Sequence, residues 1–281
     1  MQGVDAVVHM AALLHIVNLP SELREKYERV NIGGTATVVE AAIKAGVKRV
    51  VMFSTIAVYG TSDGFVLKEI SPTHPDTFYA QTKRAAEQIV LNAKGADGQS
   101  LGTVLRLGAV YGSRIKGNYE RLTRALAVGK WGTRLHHVPH FPRFPFIPIG
   151  NGLNRRTLIY DKDVGRAAAL AVSHPAAAGR VFNVTDGGFH TLTEIIESIC
   201  AALGRKPPRL SLPVGLARAL IGLIEKGSLA IGLKPPVTKA IIDKYTEDIA
   251  VDGSLIQKEL GFVPQYDLKT GWEETIREMR A

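Results

Sequence analysis

The chain has 281 residues, 46% of them hydrophobic and 22% charged, the balance of a soluble globular protein long enough to bury a sizeable core. Its one cysteine, Cys200, excludes a disulfide framework and fits a reducing, cytoplasmic setting, and no signal peptide is expected. The formal charge of +9 does not point to nucleic acid: residues 101–156 hold ten Lys and Arg against Glu120 alone, a local excess suited to an anionic small molecule, and no DNA- or RNA-reading motif accompanies it.

Residues 6–10, Ala-Val-Val-His-Met, read as a buried strand that runs into Ala11-Ala12. Residues 31–45 carry apolar positions at helical spacing, with Gly46 as the stop. A second strand is expected over 49–54, a helix over 79–93, and further strands over 103–107 and 180–184. These strands are short, continuous and rich in Val, Phe and Leu, as strands covered on both faces are. The βαβα order predicts an α/β fold, a doubly wound parallel sheet with helices on both sides.

Past Gly112 the rhythm changes. A basic helix over 118–128 leads into WGTRLHHVPHFPRFPFIPIG, dense in Pro, His and Phe, and a sheet-like segment resumes at 157. Helices follow over 191–203 and 214–224. The expected division is a nucleotide-type domain, 1–113 and 157–187, and a smaller discontinuous substrate lobe, 114–156 and 188–281. Residues 213–233 are the most apolar run, but Arg218, Glu225 and Lys226 interrupt it and no membrane span is expected. An amphipathic helix over the substrate lobe is the leading reading there, with docking on a membrane surface the alternative. His136, His137 and His140 lack zinc-site spacing and a Cys or carboxylate cluster, so no metal is expected. That loop reads as variable surface or as a substrate lid bringing Arg134 and Arg143 to phosphates.

The chemistry centres on Tyr79-Ala80-Gln81-Thr82-Lys83. Four-residue spacing on a helix sets the phenol and the ammonium on one face. A free phenol, with a pKa near ~10, is a poor base at neutral pH. A nearby cation favours phenolate and lowers that value. Ser54 and Thr55 close the second strand at its C-terminal end, where open parallel sheets bind ligands. The plainer alternative is that they only terminate the strand.

The segments VDAVVHMAA, N-x-x-G-T-x-x-V-x-E-A-A, G-V-K-R-V-V-x-F-S-T-x-A-V-Y-G, Y-A-Q-T-K, L-R-x-x-x-V-Y-G, R-R-x-L-I-Y-x-x-D, F-N-V and L-G-F-x-P occur in this order. Together they resemble the extended short-chain dehydrogenase/reductase family, the NAD-dependent epimerase/dehydratase group acting on nucleotide sugars. The resemblance implies a Rossmann-like fold, NAD or NADP as cofactor, and a nucleotide-sugar substrate. It assigns Thr55, Tyr79 and Lys83 to catalysis: Thr55 as hydrogen-bond partner of the reacting oxygen, Tyr79 as general acid/base, Lys83 as holder of the nicotinamide ribose and depressor of the Tyr79 pKa. It places Ala11, Ala12, Asn31 and Ser54, with Tyr79 and Lys83, along the cofactor, and Asn118 and Arg156 on the substrate pyrophosphate, a structural salt bridge being the alternative for Arg156. It also implies a homodimer through the helices at 31–45 and 79–93.

The same resemblance implies a G-x-x-G-x-x-G turn ahead of the first strand, and none occurs in the 281 residues. Gly33-Gly34 lies within a helical pattern and is no substitute. The expectation is that Met1 is internal to the family pattern, with roughly 65 residues of it missing through a misassigned start, a fragment boundary or a truncation. The first strand then forms a sheet edge, and NAD binds weakly. Ala109 replaces the Asn that many sugar epimerases carry there, which leans from 4-epimerase towards 4-keto reductase or oxidation of a non-sugar alcohol. Residues 114–122 resemble the branch serving polysaccharide biosynthesis. A non-catalytic fragment or binding module is the reading from another class.

Overall fold

A computed structural model describes residues 1–14, 16, 19–127, 146–230 and 238–280. The histidine-rich loop, with Arg134 and Arg143, lies outside the described residues. The chain divides into two compact units.

The first unit comprises Met1–Val110, Thr157–Phe189 and Ile249–Gln265. Its elements in chain order are β1 (Ala6–His9), α1 (Arg24–Tyr27), a π-helical turn (Glu28–Gly33), α2 (Gly34–Lys44), β2 (Arg49–Thr55), a 3-10 turn (Ile56–Tyr59), β3 (Val66–Leu67), α3 (Phe78–Asn92) and β4 (Gly102–Leu107). After β5 (Ala109–Tyr111), the unit resumes beyond its first break with the later strands and helices named below. The four-stranded sheet runs β1-β2-β4-β8, where β8 is Val181–Val184, and every pair in it is parallel. The four strands read from the sequence are these four. Among the described residues β1 pairs on one side only, with β2.

Strand alternation decides what each face buries. On β2, Val50 and Met52 pack with Val39 and Ala42 of α2 and Ala86 and Val90 of α3. Val51 points the other way, into a cluster with Val164, Ala167 and Ala171 of α5 (Asp161–Ser173) and Ile256 and Leu260 of α9 (Ser254–Leu260). Helices therefore cover both faces, as the doubly wound reading requires. Gly102 is where α3 comes closest: a Cβ there would lie 1.9 Å from the Val90 carbonyl oxygen. Gly60 ends the Val-Tyr-Gly turn at φ +78°, with a Cβ position 2.4 Å from the His74 carbonyl oxygen, so only glycine fits.

One expected boundary changes. Residues 188–281 do not all join the second unit, because Ile249–Gln265 returns to the first. Its short β10 (Ala250–Val251) pairs parallel with β3, and Ile256, Leu260 and Phe262 complete the core cluster around α5. The expected strand-like segment from 157 also resolves differently, as β7 (Leu158–Tyr160) followed by α5.

The second unit comprises Tyr111–Arg156, His190–Asp248 and Tyr266–Ala281. It holds α4 (Asn118–Ala127), β6 (Arg155–Arg156), β9 (His190–Thr191), α6 (Leu192–Leu203), α7 (Val214–Ala230), α8 (Lys239–Thr246) and α10 (Leu268–Arg280). α6 starts on a capping box between Thr191 and Glu194 and stops at Gly204 in the left-handed region. α7 runs six residues further than the sequence reading gave it. This unit carries twenty of the 35 Lys and Arg and eleven of the 26 Asp and Glu, so the whole excess of +9 falls in it.

Candidate functional site

α3 starts where Thr77, extended at φ −112° and ψ 150°, accepts a hydrogen bond from Ala80 N through its hydroxyl. This cap fixes the first turn, which carries Tyr79, and sets Lys83 one turn further along. Lys83 is 3% exposed. Burial pulls its pKa down to about 8, partly opposed by the charge of Glu87. Burial pushes the Tyr79 phenol up to about 12, with the Tyr27 phenol adding to the rise. The expected depression of the Tyr79 pKa by Lys83 is therefore corrected. In the protein without ligands, desolvation dominates both groups.

Thr55 ends β2 in extended geometry, and its hydroxyl oxygen accepts from Ala57 N at 3.1 Å, capping the 3-10 turn Ile56–Tyr59. α3 packs against this turn as well as against β2 and β4. Ser54, expected along the cofactor, is instead buried and donates to Glu87 Oε1 at 2.6 Å. Successive strand residues face opposite sides, and Ser54 shares the α3 side with Val50 and Met52.

Behind α3 lies a network that periodicity could not reveal. Arg106 of β4 meets Glu87 through Nε at 3.0 Å and Nη2 at 2.8 Å. The Arg106 guanidinium lies 4.8 Å from the Tyr59 ring centroid, and the Tyr59 hydroxyl donates to Asn183 Oδ1 at 2.8 Å. The Asn183 amide group in turn reaches the Asp252 carbonyl, tying the sheet to the returning segment.

Ala11 and Ala12 follow the C-terminal end of β1, Ala11 exposed and Ala12 half-buried. Asn31 holds the segment after them in place: Leu13 N donates to Asn31 Oδ1 at 2.7 Å, and Nδ2 donates to the Leu13 carbonyl at 3.3 Å and to Thr82 Oγ1 at 3.0 Å. Thr82 then donates to the Tyr79 carbonyl at 2.8 Å. Asn31 is 1% exposed and its donors are spent, so it links the Ala-Ala segment to the turn bearing Tyr79. His9 completes this cluster. Thr35 gives its proton to the Asn31 carbonyl at 2.6 Å, so its oxygen accepts from His9 Nε2 at 3.0 Å, which makes Nε2 the protonated nitrogen. Burial and the neighbouring Lys83 charge keep the His9 pKa low.

In the second unit Asn118 is exposed at the first position of α4. Arg156 donates to the carbonyls of Lys244 at 2.7 Å and Tyr245 at 2.9 Å, and lies 3.7 Å from Glu247. It thus braces the end of α8. Arg155 pairs with Asp248 at 2.6 Å. Among the described residues no group of three or more His, Cys, Asp or Glu could hold a metal, and no helix is long and apolar enough to cross a membrane.

Residues 1–185 match the model of the NAD dependent epimerase/dehydratase family. A UDP-glucose 4-epimerase of Vibrio cholerae is 28% identical over 281 residues, covering 99% of this chain and 77% of its own length. An N-acetyl-alpha-D-glucosaminyl-diphospho-ditrans,octacis-undecaprenol 4-epimerase of Escherichia coli O157:H7 is 26% identical, covering 98% and 77%. Among solved structures, MoeE5 in complex with UDP-glucose and NAD superposes with a TM-score of 0.70 at 26% identity, over 99% of this chain and 80% of that one.

Proposed function

The chain belongs to the NAD-dependent epimerase/dehydratase family, and on that premise we propose that it acts on the hydroxyl or keto group of a sugar carried on a diphosphate, as a 4-epimerase or 4-keto reductase using NAD or NADP. The observation that carries this reading is the start of α3, with Tyr79 half-buried and Lys83 buried, in a helix packed against the turn that Thr55 caps.

The residues present fit the nicotinamide end of the cofactor. Ala11 and Ala12 offer small side chains at a strand's C-terminal end, and Lys83 is a desolvated donor on the same side of β2 as Glu87. When bound, the nicotinamide supplies hydride acceptance and return. Tyr79 exchanges the proton of the reacting hydroxyl through its phenol oxygen. Thr55 keeps its own O–H to donate, since its oxygen serves as acceptor for Ala57 N. Lys83 holds ribose hydroxyls, and an ammonium retained there on closure would draw the Tyr79 pKa down from its ligand-free value. Asn118, exposed at the first position of α4, is the residue assigned to the diphosphate. Arg156, assigned to the same group, would have to give up part of its hold on the end of α8, where it meets the Lys244 and Tyr245 carbonyls and Glu247.

For the carrier, a nucleoside diphosphate is the first reading and a lipid diphosphate the second, the latter supported by the 26% identical relative named as a diphospho-undecaprenol 4-epimerase. A homodimer through α2 and α3 is part of the same proposal, and light scattering after gel filtration tests it.

The test is turnover of a panel of UDP- and dTDP-hexoses with excess NAD, with products separated by anion-exchange chromatography. Conversion by the native chain, reduced by about 10²–10⁴-fold in Tyr79→Phe, supports the proposal. Equal conversion by Tyr79→Phe would remove it.

A further inference from the structure

α7 is amphipathic in the reverse of the usual sense. Leu216, Leu220, Leu223 and Ile224 follow the spacing i, i+4, i+7 and i+8, which is one helical face, and they are 49%, 47%, 68% and 47% exposed. The face turned inward carries Ala217, 1% exposed, and buried Gly222. Most of the bulky apolar area of this helix therefore meets solvent. Leu210, just before the helix, and Ile241 of the adjoining α8 are exposed as well, at 77% and 42%. A contiguous apolar stripe of this kind marks an interaction surface rather than a scatter of single residues.

Charge selects the partner. The unit that bears α7 carries the protein's entire excess of positive charge, while the first unit is balanced. Lys206 and Arg209 in the segment leading to α7, Lys226 on it and Lys239 beside Gly222 are all exposed. Arg218 pairs with Asp243 of the adjoining α8. Leucines on one face flanked by lysine and arginine are the pattern of a helix lying in the plane of a bilayer interface. Apolar side chains enter the acyl boundary, and the basic groups meet anionic headgroups.

We infer that α7 docks the protein on the surface of an anionic lipid bilayer, with Leu216, Leu220, Leu223 and Ile224 inserted and the basic groups of the same unit against the headgroups. The inference stands on surface geometry and charge, independently of the reaction proposed above.

The test is co-sedimentation of the full chain with sucrose-loaded vesicles of phosphatidylglycerol and phosphatidylcholine in equal parts, beside vesicles of phosphatidylcholine alone. The expected result is binding to the anionic vesicles that weakens with added salt and falls at least ~10-fold in Leu220→Glu/Leu223→Glu. Leu223→Gln, a single change at the most exposed of the four positions, keeps the test decisive should the double variant fail to fold. It should weaken binding while leaving the circular dichroism melt unchanged. Absence of binding to anionic vesicles, or binding that both variants retain, overturns the inference. So does a native dimer that Leu223→Gln splits into monomers without any vesicle binding, since the stripe would then belong to a second copy.

Discussion

Glu87 and Arg106 face each other through two hydrogen bonds with their side chains at most 4% exposed, so α3 and β4 are joined by a charge pair cut off from water. Burial alone would lower the Arg106 pKa, but hydrogen bonds and charge from Glu87 carry it upward. Removing one partner strands the other. Glu87→Ala is expected to destabilise the protein by about 3–5 kcal/mol in urea denaturation. Replacing both residues with Met should recover most of that loss, because no buried charge is left unpaired. A double variant no more stable than Glu87→Ala would contradict this account.

Ser54→Ala separates structure from chemistry at the end of β2. Its hydroxyl donates to a buried carboxylate at 2.6 Å, a hydrogen bond to a charged group whose loss costs about 1.5–3 kcal/mol. The expected result is a lower denaturation midpoint with KM for the cofactor unchanged, since the hydroxyl is engaged with Glu87. A raised cofactor KM with unaltered stability would return Ser54 to the cofactor.

Lys83 and Tyr79 give the stability a distinct pH dependence. Lys83 has a folded pKa near 8 against 10.5. Below pH 8 it is protonated in both states and its burial penalty is fully present. Between pH 8 and 10.5 the unfolded chain binds more protons, so stability rises, by an order of 3 kcal/mol for a shift of this size. Tyr79 acts in the opposite direction. Its folded pKa is about 12 against 10.0, so above pH 10 the unfolded chain loses its phenol proton first and stability falls. Lys83→Met should therefore be more stable than the native chain at pH 7, with the advantage shrinking towards pH 10. A constant advantage across that range would show that Lys83 is not desolvated.

Much of the first unit was legible because its signals are local. Short Val-, Phe- and Leu-rich runs covered on both faces gave β1, β2, β4 and β8, and helical spacing with a Gly46 stop gave α2. The return of Ile249–Gln265 was not legible, since β3 and β10 are two-residue strands whose pairing joins positions almost two hundred residues apart. The partners of Ser54 and Asn31 were not legible for a related reason. Residue type and position place them beside a cleft, whereas the direction of each side chain depends on partners elsewhere in the chain, Glu87 for one and Leu13 with Thr82 for the other. The rise of the Tyr79 pKa was not legible because spacing on a helix conveys proximity but not desolvation.

Asn31→Ala tests the link between the segment after β1 and the turn carrying Tyr79. The substitution leaves Leu13 N and the Leu13 carbonyl without their side-chain partner and removes the support under Thr82. Each buried group left unmade costs about 1–3 kcal/mol, so a clear loss of stability is expected. Amide exchange at Leu13 should accelerate more than exchange in β4. Uniform acceleration across the sheet would assign Asn31 to general stability instead of this link.

Cofactor affinity tests how much of the dinucleotide these residues can hold. The proposed function gives the nicotinamide end Lys83, Tyr79 and the Ala11-Ala12 segment, but no G-x-x-G-x-x-G turn occurs in the 281 residues to offer clustered backbone N–H groups to a pyrophosphate. Contacts confined to one end of NAD support a Kd on the order of 1 mM, equivalent to about 4 kcal/mol. Calorimetry on this chain should accordingly find weak binding, and Lys83→Met should weaken it further. A Kd of ~1 µM requires about twice that free energy, and would mean that backbone donors elsewhere in the chain receive the pyrophosphate.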